Sequence, residues 1–426
     1  MRKYLLLFII FGPFGALGQT WQLLPNSPSA PFRHDDIYFI SPDTGWAVNV
    51  DGYIYKTTDG GLSWATQLYQ PATSFRCVGF ANSQKGWAGN LGTGRWSPTT
   101  DTMPLYQTND GGNTWQAVTN ISGPLPKGIC GLCVVDDSVA YGVGRVDGPC
   151  NILKTSDGGA SWVSRALDSI AFFVIDAHFF SRDTGVMVGC TGTSNNENIA
   201  VYYTTDGAQT WQKTYSSSYN GHGWKVDFPS RRVGYVSIEG NANSPILATK
   251  DGGLSWTSKA FNLGEQGIGF INDSTGWCGF FINQGRITTD SGNTWTAAPF
   301  VENFNRFRKI SDTLAYASGK RIWKYTKQTL VGIPELPAPG NLLEQNFPNP
   351  FTDKTTIRYT LPQAGKVFLK VYDWVGRPVT VLVDAEQKAG PHEVKFSAAN
   401  YGNYGFFYTL IFGNYSVTRK MSMVQN

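Results

Sequence analysis

The chain repeats one eight-residue turn six times, and this repeat constrains the fold more than any other feature. The first copy runs from Thr57 to Trp64, and the shared pattern is Thr-x-Asp-x-Gly-x-Ser/Thr-Trp, with Ala208 at the glycine position of the fourth copy. The aspartates of the six copies are Asp59, Asp110, Asp157, Asp206, Asp251 and Asp290. A short motif that returns every 39 to 51 residues indicates an array of similar units with loops of variable length.

The repeated turn has the chemistry of a tight β-hairpin. Glycine accepts the positive φ that such turns need, and an aspartate or Ser/Thr side chain can bind backbone N–H groups within the turn. The tryptophan at the end buries a large apolar surface. Six of the 14 tryptophans are used here. We therefore interpret the six aspartates as structural.

A second element precedes each turn. It is a short strand with one uniformly apolar face, which we interpret as an inner strand packed between units. The apolar pairs are Ile37/Phe39, Val78/Phe80, Leu132/Val134, Ala177/Phe179, Val226/Phe228 and Ile268/Phe270. The opposite face varies: Asp36/Tyr38, Cys77/Gly79, Gly131/Cys133, Asp176/His178, Lys225/Asp227, Gly267/Gly269 and, in a seventh unit, Arg306/Arg308. The glycines are expected to leave room beside the polar residues.

The seventh unit, around residues 309–325, has no turn motif after it. Thr20-Trp21-Gln22 matches the end of a motif and its following strand, as in Thr114-Trp115-Gln116. The sequence therefore predicts that an N-terminal strand completes the seventh unit and closes a ring. Residues 20–326 would then form seven units of about 44 residues each.

The motif resembles the Asp-box, or BNR repeat, which sialidases, some glycoside hydrolases, sortilin-type receptors and photosystem II assembly factors share. The resemblance implies a seven-bladed β-propeller over residues 19–326, with each box between the third and fourth strands of a blade. It also implies that the boxes lie far from the functional face. A sialidase proper is not expected, because no Arg-Ile-Pro segment follows an early strand and Phe32-Arg33-His34-Asp35-Asp36 matches it only weakly.

The N-terminus predicts a secretory signal peptide over residues 1–18. Arg2 and Lys3 precede an apolar run from Leu5 to Phe14, and small residues follow at Ala16 and Gly18. No later segment has 18 consecutive apolar residues, so the mature protein is expected to have no transmembrane segment.

The C-terminal part predicts a second domain. Residues 327–341 form a Pro-rich linker, and residues 342–426 alternate as the strands of a small β-sandwich. The fold class is thus all-β, a propeller followed by a sandwich. The start at Asn346-Phe347-Pro348-Asn349-Pro350-Phe351, the Val371-Tyr372-Asp373 and Gly376-Arg377 centre, Ala389-Gly390 and the end at Thr418-Arg419-Lys420-Met421 resemble the type A sorting domain of the type IX secretion system.

That second resemblance implies a bacterium of the Bacteroidota type. It makes the type IX secretion machinery the partner of residues 342–426, and the protein would pass through the periplasm to be secreted or attached to the outer-membrane surface.

Composition excludes several functions. The net charge is +4 and charged residues are 15%, so nothing indicates a nucleic-acid partner. Four histidines without metal-ligand spacing and the absence of a phosphate loop predict neither metal nor cofactor. Six cysteines are too few for a disulfide scaffold, although pairing of Cys77 with Cys130 or Cys133 stays open.

Two functions remain for the polar inner-strand residues. The first is a non-enzymatic propeller that binds a glycan or a surface protein, with His178, Lys225, Arg306 and Arg308 as ligand-binding candidates. The second is an extracellular glycoside hydrolase that uses two of the catalytic candidates Asp36, Asp176 and Asp227. Hydrolysis needs two carboxyl groups that converge at about 5–10 Å.

Overall fold

A computed structural model describes most of the chain, namely residues 20–94, 99–145, 148–193, 196–240, 244–261, 264–279, 285–298, 303–326, 342–362, 364–373, 378–398, 405–412 and 415–424. Its contacts divide the chain into two units, residues 1–327 and 328–426. The predicted signal peptide at 1–18 and the predicted linker at 327–341 lie outside the described residues.

The first unit is a seven-bladed β-propeller, as the sequence predicts. Blades I, II, IV, V and VI are antiparallel sheets in which four consecutive strands run outward from an innermost first strand, and blades III and VII vary this arrangement. The N-terminal strand is β1 (Thr20–Leu23). Blade I consists of β2 (Asp36–Phe39), β3 (Gly45–Val48), β4 (Tyr53–Thr57) and β5 (Ala65–Tyr69). Blade II consists of β6 (Phe75–Phe80), β7 (Gly86–Asn90), β8 (Leu105–Thr108) and β9 (Gln116–Ala117).

Blade III has a fifth strand, because β10 (Ile121–Ser122) pairs in parallel with its outermost strand. The other four strands are β11 (Gly131–Val134), β12 (Ala140–Gly144), β13 (Asn151–Thr155) and β14 (Trp162–Ala166). Blade IV consists of β15 (Phe173–Phe179), β16 (Gly185–Thr193), β17 (Asn196–Thr204) and β18 (Gln212–Asn220).

Blades V to VII complete the ring. Blade V consists of β19 (His222–Asp227), β20 (Gly234–Glu239), β21 (Ile246–Thr249) and β22 (Thr257–Lys259). Blade VI consists of β23 (Gly267–Phe270), β24 (Gly276–Gly279), β25 (Arg286–Thr288) and β26 (Thr296–Ala297). Blade VII begins with β27 (Arg306–Ser311), β28 (Leu314–Ser318) and β29 (Ile322–Thr326).

The N-terminal strand β1 is the fourth strand of blade VII, which confirms the predicted closure. It pairs antiparallel with β29 in the register Thr20↔Thr326 to Leu23↔Trp323. The Trp21 ring lies 5.4 Å from the rings of both Trp277 in blade VI and Tyr325 in blade VII. The ring of blades is therefore held shut by backbone pairing and by an aromatic cluster.

Aromatic stacking joins neighbouring blades. The phenylalanine that ends an inner strand stacks on an aromatic residue from the second strand of the preceding blade. The stacked pairs, with ring centroids 3.5 to 3.6 Å apart, are Phe39–Tyr316, Phe80–Trp46, Phe179–Tyr141 and Phe270–Tyr235. The tryptophan of the repeated turn then meets the same phenylalanine edge-on, as Trp115 meets Phe80. The apolar face of the inner strand is thus a packing face, as expected.

The six repeated turns connect the third and fourth strands of blades I to VI, and they share one hydrogen-bond pattern. In the second copy, Thr108 Oγ1 donates to Asp110 Oδ1 (2.8 Å) and accepts from Gly112 N (2.8 Å). Asp110 also accepts from Thr114 N (2.9 Å) and Thr114 Oγ1 (2.6 Å). The Thr114 hydroxyl and N–H lower the pKa of Asp110 to about 2. The carboxylate of Asp110 is thus used by hydrogen bonds within its own turn.

The second unit contains two sheets. β30 (Lys354–Leu361) pairs with β33 (Gly390–Ser397), and the other sheet has the order β32 (Pro378–Gln387), β31 (Gly365–Asp373), β34 (Gly405–Phe412), β35 (Tyr415–Ser422). One apolar core joins residues of both sheets, among them Ile357, Leu369 and Tyr408. This layering agrees with the sandwich prediction. Among the described residues of the whole chain, no helix is long and apolar enough to cross a membrane.

Candidate functional site

The polar face of the inner strands borders the central channel and is turned toward the following blade. Its residues form two tiers, because each inner strand contributes one residue and then a second residue two positions later. The first tier comprises Asp36, Cys77, Gly131, Asp176, Lys225, Gly267 and Arg306, and the second tier comprises Tyr38, Gly79, Cys133, His178, Asp227, Gly269 and Arg308. The second tier lies on the side of the repeated turns, where Gly60 N donates to Asp43 O within blade I.

The three candidate carboxylates hydrogen-bond to the edge of the next blade. Asp36 accepts from Val78 N (3.1 Å), Asp176 from Val226 N (3.2 Å) and Asp227 from Phe270 N (2.8 Å). An inner strand pairs on one side only, so these N–H groups would otherwise lie buried without a partner. Each aspartate therefore acts as a clip between consecutive blades.

Arg306 crosses the channel and joins two of these carboxylates. Its Nε lies 3.0 Å from Asp36 Oδ1 in blade I, and its Nη1 and Nη2 donate to Asp176 in blade IV at 2.8 and 3.1 Å. Burial alone would raise the pKa of Asp176, but Arg306 and then Lys225 outweigh it and hold this pKa below its ordinary value. The side chains of Arg306, Asp36 and Asp176 are all buried. Arg306 is thus a structural bridge between blades, and its guanidinium group is not available to a ligand.

Lys225 occupies the middle of the same tier but has no such partner. Its side chain is 1% exposed, and among the described residues Nζ has no hydrogen-bond acceptor within range. Desolvation by burial, reinforced by the charge of Arg306, lowers its pKa to about 7.

The second tier is open to solvent. Arg308 has a 25% exposed side chain, donates from Nε to Ile37 O (2.8 Å) and lies over the ring of Tyr38 at 5.1 Å. Asp227 and His178 are partly exposed, and burial raises the pKa of Asp227 to about 7 and lowers that of His178 to about 4. We call Tyr38, His178, Asp227 and Arg308 the channel mouth. It lies on the same side of the ring as the repeated turns, whereas the Asp-box resemblance implies that these turns lie far from the functional face.

The glycines of the two tiers do not leave the expected room. A β-carbon at Gly131 would lie 2.8 Å from Ile175 O and 3.1 Å from Asp176 Oδ1, and one at Gly269 would overlap the ring of Phe307. The reason is close approach: where the side chain is absent, the following blade moves in and fills the space.

A polar plug at the start of the inner strands was not predicted. Arg33 Nε lies 3.1 Å from Asp35 Oδ1, and Arg76 also pairs with Asp35. Arg33 donates to Gln266, whose Nε2 donates to Glu239 Oε1 (2.8 Å). A β-bulge between Phe75 and Cys77 turns Arg76 inward, which strict alternation could not show. The run of polar residues at 33–36 is the sequence feature that could have indicated this plug.

Cysteine and metal chemistry add nothing to the site. The six cysteines are free thiols, so the pairing of Cys77 that the sequence left open is not formed. Cys133 instead accepts from Phe179 N (3.2 Å), in the position that Asp227 occupies in blade V. Among the described residues no group of three His, Cys, Asp or Glu side chains could hold a metal ion.

The geometry supports recognition better than hydrolysis. Asp36 and Asp176 converge on one guanidinium, but that contact and the backbone N–H groups use both carboxylates. Asp227 has the pKa of a general acid, yet it has no second free carboxylate in the mouth among the described residues. A glycoside hydrolase needs two.

The propeller is similar to that of a known protein. No protein-family model matches the chain. The photosystem II assembly lipoprotein Ycf48 of Synechococcus sp. (strain CC9902) is 26% identical over 352 residues, which cover 74% of this chain and 94% of that protein.

Solved structures also align with the chain. The structure of YCF48 bound to D1 peptide aligns with a TM-score of 0.53 and 18% identity, covering 72% of this chain and 94% of that one. An ancestral GH74 enzyme aligns with a TM-score of 0.53 and 13% identity, covering 94% of this chain and 63% of that one. At these identities the structures establish the fold alone, and the first unit of the chain has a Ycf48-like propeller fold.

Proposed function

We propose that the propeller is a non-enzymatic binding module that holds a polypeptide segment at the channel mouth. The observation that carries this proposal is the use of Asp36 and Asp176 as inter-blade clips bridged by Arg306, which removes the carboxylate pair that hydrolysis would need. The structure of YCF48 bound to D1 peptide supports a polypeptide over a glycan as the ligand.

The mouth has the groups that such a ligand requires. Arg308 is held in place through Ile37 O and Asp36, so its exposed guanidinium is preorganised to bind a carboxylate or a carbonyl. Tyr38 and His178 supply ring surfaces, and Asp227 supplies a carboxyl group that can accept or donate near neutral pH. A short peptide with an acidic group is the expected ligand class.

Selection from a random-peptide library on the full chain tests this proposal. We expect selected peptides to bind with micromolar dissociation constants in fluorescence polarisation, and Arg308→Gln to weaken them about tenfold or more, as loss of a charged hydrogen bond implies. The matched control is Arg182→Gln, which removes an exposed arginine of the same propeller. Failure to select any peptide, together with saturable binding of a polysaccharide, would overturn the proposal in favour of a glycan ligand.

We also propose that residues 342–426 direct export through a type IX secretion system, after a signal peptide at residues 1–18 has brought the chain to the periplasm. The motifs from Asn346 to Phe351 and from Thr418 to Met421 support this. The protein would then act outside the cell or on its surface.

Expression in a Bacteroidota host tests the export proposal. The full chain should reach the medium or the cell surface, and a chain ending at residue 341 should remain in the periplasm. Equal export of both chains, or export from a strain that lacks the type IX machinery, would refute it.

A further inference from the structure

A cavity of about 200 Å³ opens at the outer rim of the propeller, between blades III and IV. One wall is the face of β13 and β14 that is turned toward blade IV, and the other wall is the repeated turn of blade IV. The polar lining includes Lys154, Asp157, Arg165 and Gln209, and the apolar lining consists of Ile152, Val163 and Ala208. The cavity therefore combines hydrogen-bonding groups with an apolar surface.

The apolar part of the cavity contains a strained residue. Ala208 has a φ of 68°, whereas the other five repeated turns have glycine at this motif position. A side chain in the left-handed region costs stability, and such strain occurs most often where a ligand is bound or a reaction is catalysed. On the opposite wall, Val163 of β14 is 48% exposed. These two residues give the cavity an apolar contact surface at a cost in stability.

The neighbouring groove between blades II and III shows that these features do not follow from the repeat alone. The motif positions of Lys154, Val163, Arg165 and Ala208 are occupied there, in this order, by Gln107, Gln116, Val118 and Gly159. That groove has the same origin in the fold but lacks both cations and the alanine methyl group. The combination is thus particular to the cavity between blades III and IV.

The charges around the cavity have both signs. Lys154 Nζ and Asp183 Oδ1 both lie close to Gly207, so these two charges offset each other. Asp157 accepts hydrogen bonds from Ser161 within its own turn, and the guanidinium group of Arg165 is exposed. Donors and acceptors without an excess of one sign suit a neutral polyhydroxy ligand better than an ion.

The strand edge beside the cavity argues against a peptide. An extended peptide binds most simply by adding a strand to an open sheet edge. Here β10 already pairs with the outermost strand of blade III, and Ser122 lies opposite Val163. The ligand must therefore be held by side chains, as a sugar is.

We propose that this cavity, which we call the rim site (Lys154, Val163, Arg165 and Ala208), binds one neutral hexose ring. Arg165 donates to hydroxyl groups of the sugar, and Val163 and Ala208 contact its apolar C–H face. The cavity is smaller than the roughly 300–1,000 Å³ of pockets for drug-sized ligands, which limits the occupant to about one ring. The rim site is separate from the channel mouth and does not rest on peptide binding there.

Saturation-transfer NMR on the full chain measures binding of the methyl glycosides of glucose, galactose and mannose. We expect at least one of them to bind saturably with a millimolar dissociation constant. Arg165→Gln should weaken it about tenfold, as loss of a charged hydrogen bond implies. The matched control is Arg232→Gln, which removes an exposed arginine of blade V and should leave the dissociation constant unchanged.

The variant Ala208→Gly separates binding from stability. Loss of the methyl group should weaken the hexoside about fourfold, as expected for one buried methyl group, while relief of the strain raises the urea midpoint. Three results would each overturn the proposal: no saturable binding of a neutral hexoside, binding of glucuronate or glucosamine alone, or an unchanged dissociation constant in Arg165→Gln. A sugar response that Arg308→Gln abolishes would overturn it as well, because the sugar would then lie at the channel mouth.

Discussion

Replacement of Arg306 by glutamine tests whether the channel bridge holds the ring together. The guanidinium contacts Asp36 at 3.0 Å and Asp176 at 2.8 and 3.1 Å, and all three side chains are buried. Asp36 keeps Arg308 as a partner. Among the described residues, Asp176 keeps the hydrogen bond from Val226 N and the charge of Lys225. Removal of one partner from a buried pair costs about 3–5 kcal/mol, and we expect a loss of unfolding free energy in that range.

Urea unfolding followed by tryptophan fluorescence is the assay, because every tryptophan except Trp374 belongs to the propeller unit. The control is Arg182→Gln. Its ion pair with Asp136 (2.7 Å) is exposed, with Arg182 at 59%, and should contribute about 0–1 kcal/mol. A loss for Arg306→Gln no larger than that of the control would refute the bridge.

The pH dependence of the same variant gives an independent check. In the wild type the pKa of Asp176 is lowered on folding, so its contribution is present above the unfolded pKa of about 4 and is lost as the pH falls through the folded value. Without Arg306, burial raises this pKa, so the carboxyl group becomes neutral at a higher pH than in the wild type. The difference between wild type and variant should therefore shrink as the pH falls. A difference that is constant with pH would contradict the argument.

Three further predictions concern the turns and the mouth, and urea unfolding measures each. Thr108→Val leaves Gly112 N buried without its acceptor and should cost about 1–3 kcal/mol, and an unchanged midpoint would contradict this. Ala208→Gly should stabilise the chain by about 1 kcal/mol, because Ala208 has a φ of 68° where all five of the other turns have glycine at the same motif position. A loss would show that the methyl group of Ala208 contributes more than the strain costs. Asp227→Asn should gain stability relative to the wild type as the pH rises from 4 to 8. The pKa of Asp227 is raised to about 7 in the folded state, so ionisation of this carboxyl group opposes folding. Stability curves that run parallel with pH in the two proteins would refute this.

The sequence predicts the propeller well because each blade carries its own local signals. In the turn around Asp110, the side-chain hydrogen bonds of Thr108 and Asp110 lie within seven residues, and Phe80 lies on the predicted packing face. The closing strand was visible because Trp21 follows a threonine as the turn tryptophans do. The short strand β10 could not be predicted, because a strand of two residues shows no recognisable alternation of polar and apolar side chains.

The site was predicted in position but not in role. Alternation along the inner strands places Asp36, Asp176 and Arg306 on the channel side, as the sequence indicates. Their partners depend on the closed ring: Arg306 meets Asp176 over 130 residues of separation, and no local pattern records such a distance. For the same reason, only the folded ring shows that Lys225 Nζ has no hydrogen-bond partner among the described residues.

The pairing of β1 with β29 also governs the order in which the chain can fold. Blades I to VI are built from consecutive segments, so each can form as its own residues become available. Blade VII requires the contact between Thr20 and Thr326, which has the largest loop-closure entropy of any strand pairing in the propeller. Until that contact forms, the edge of β29 is unpaired and the intermediate is open to strand exchange with another copy. The ring therefore closes only when both ends of the propeller are present together, so the first residues of the propeller must wait for the last.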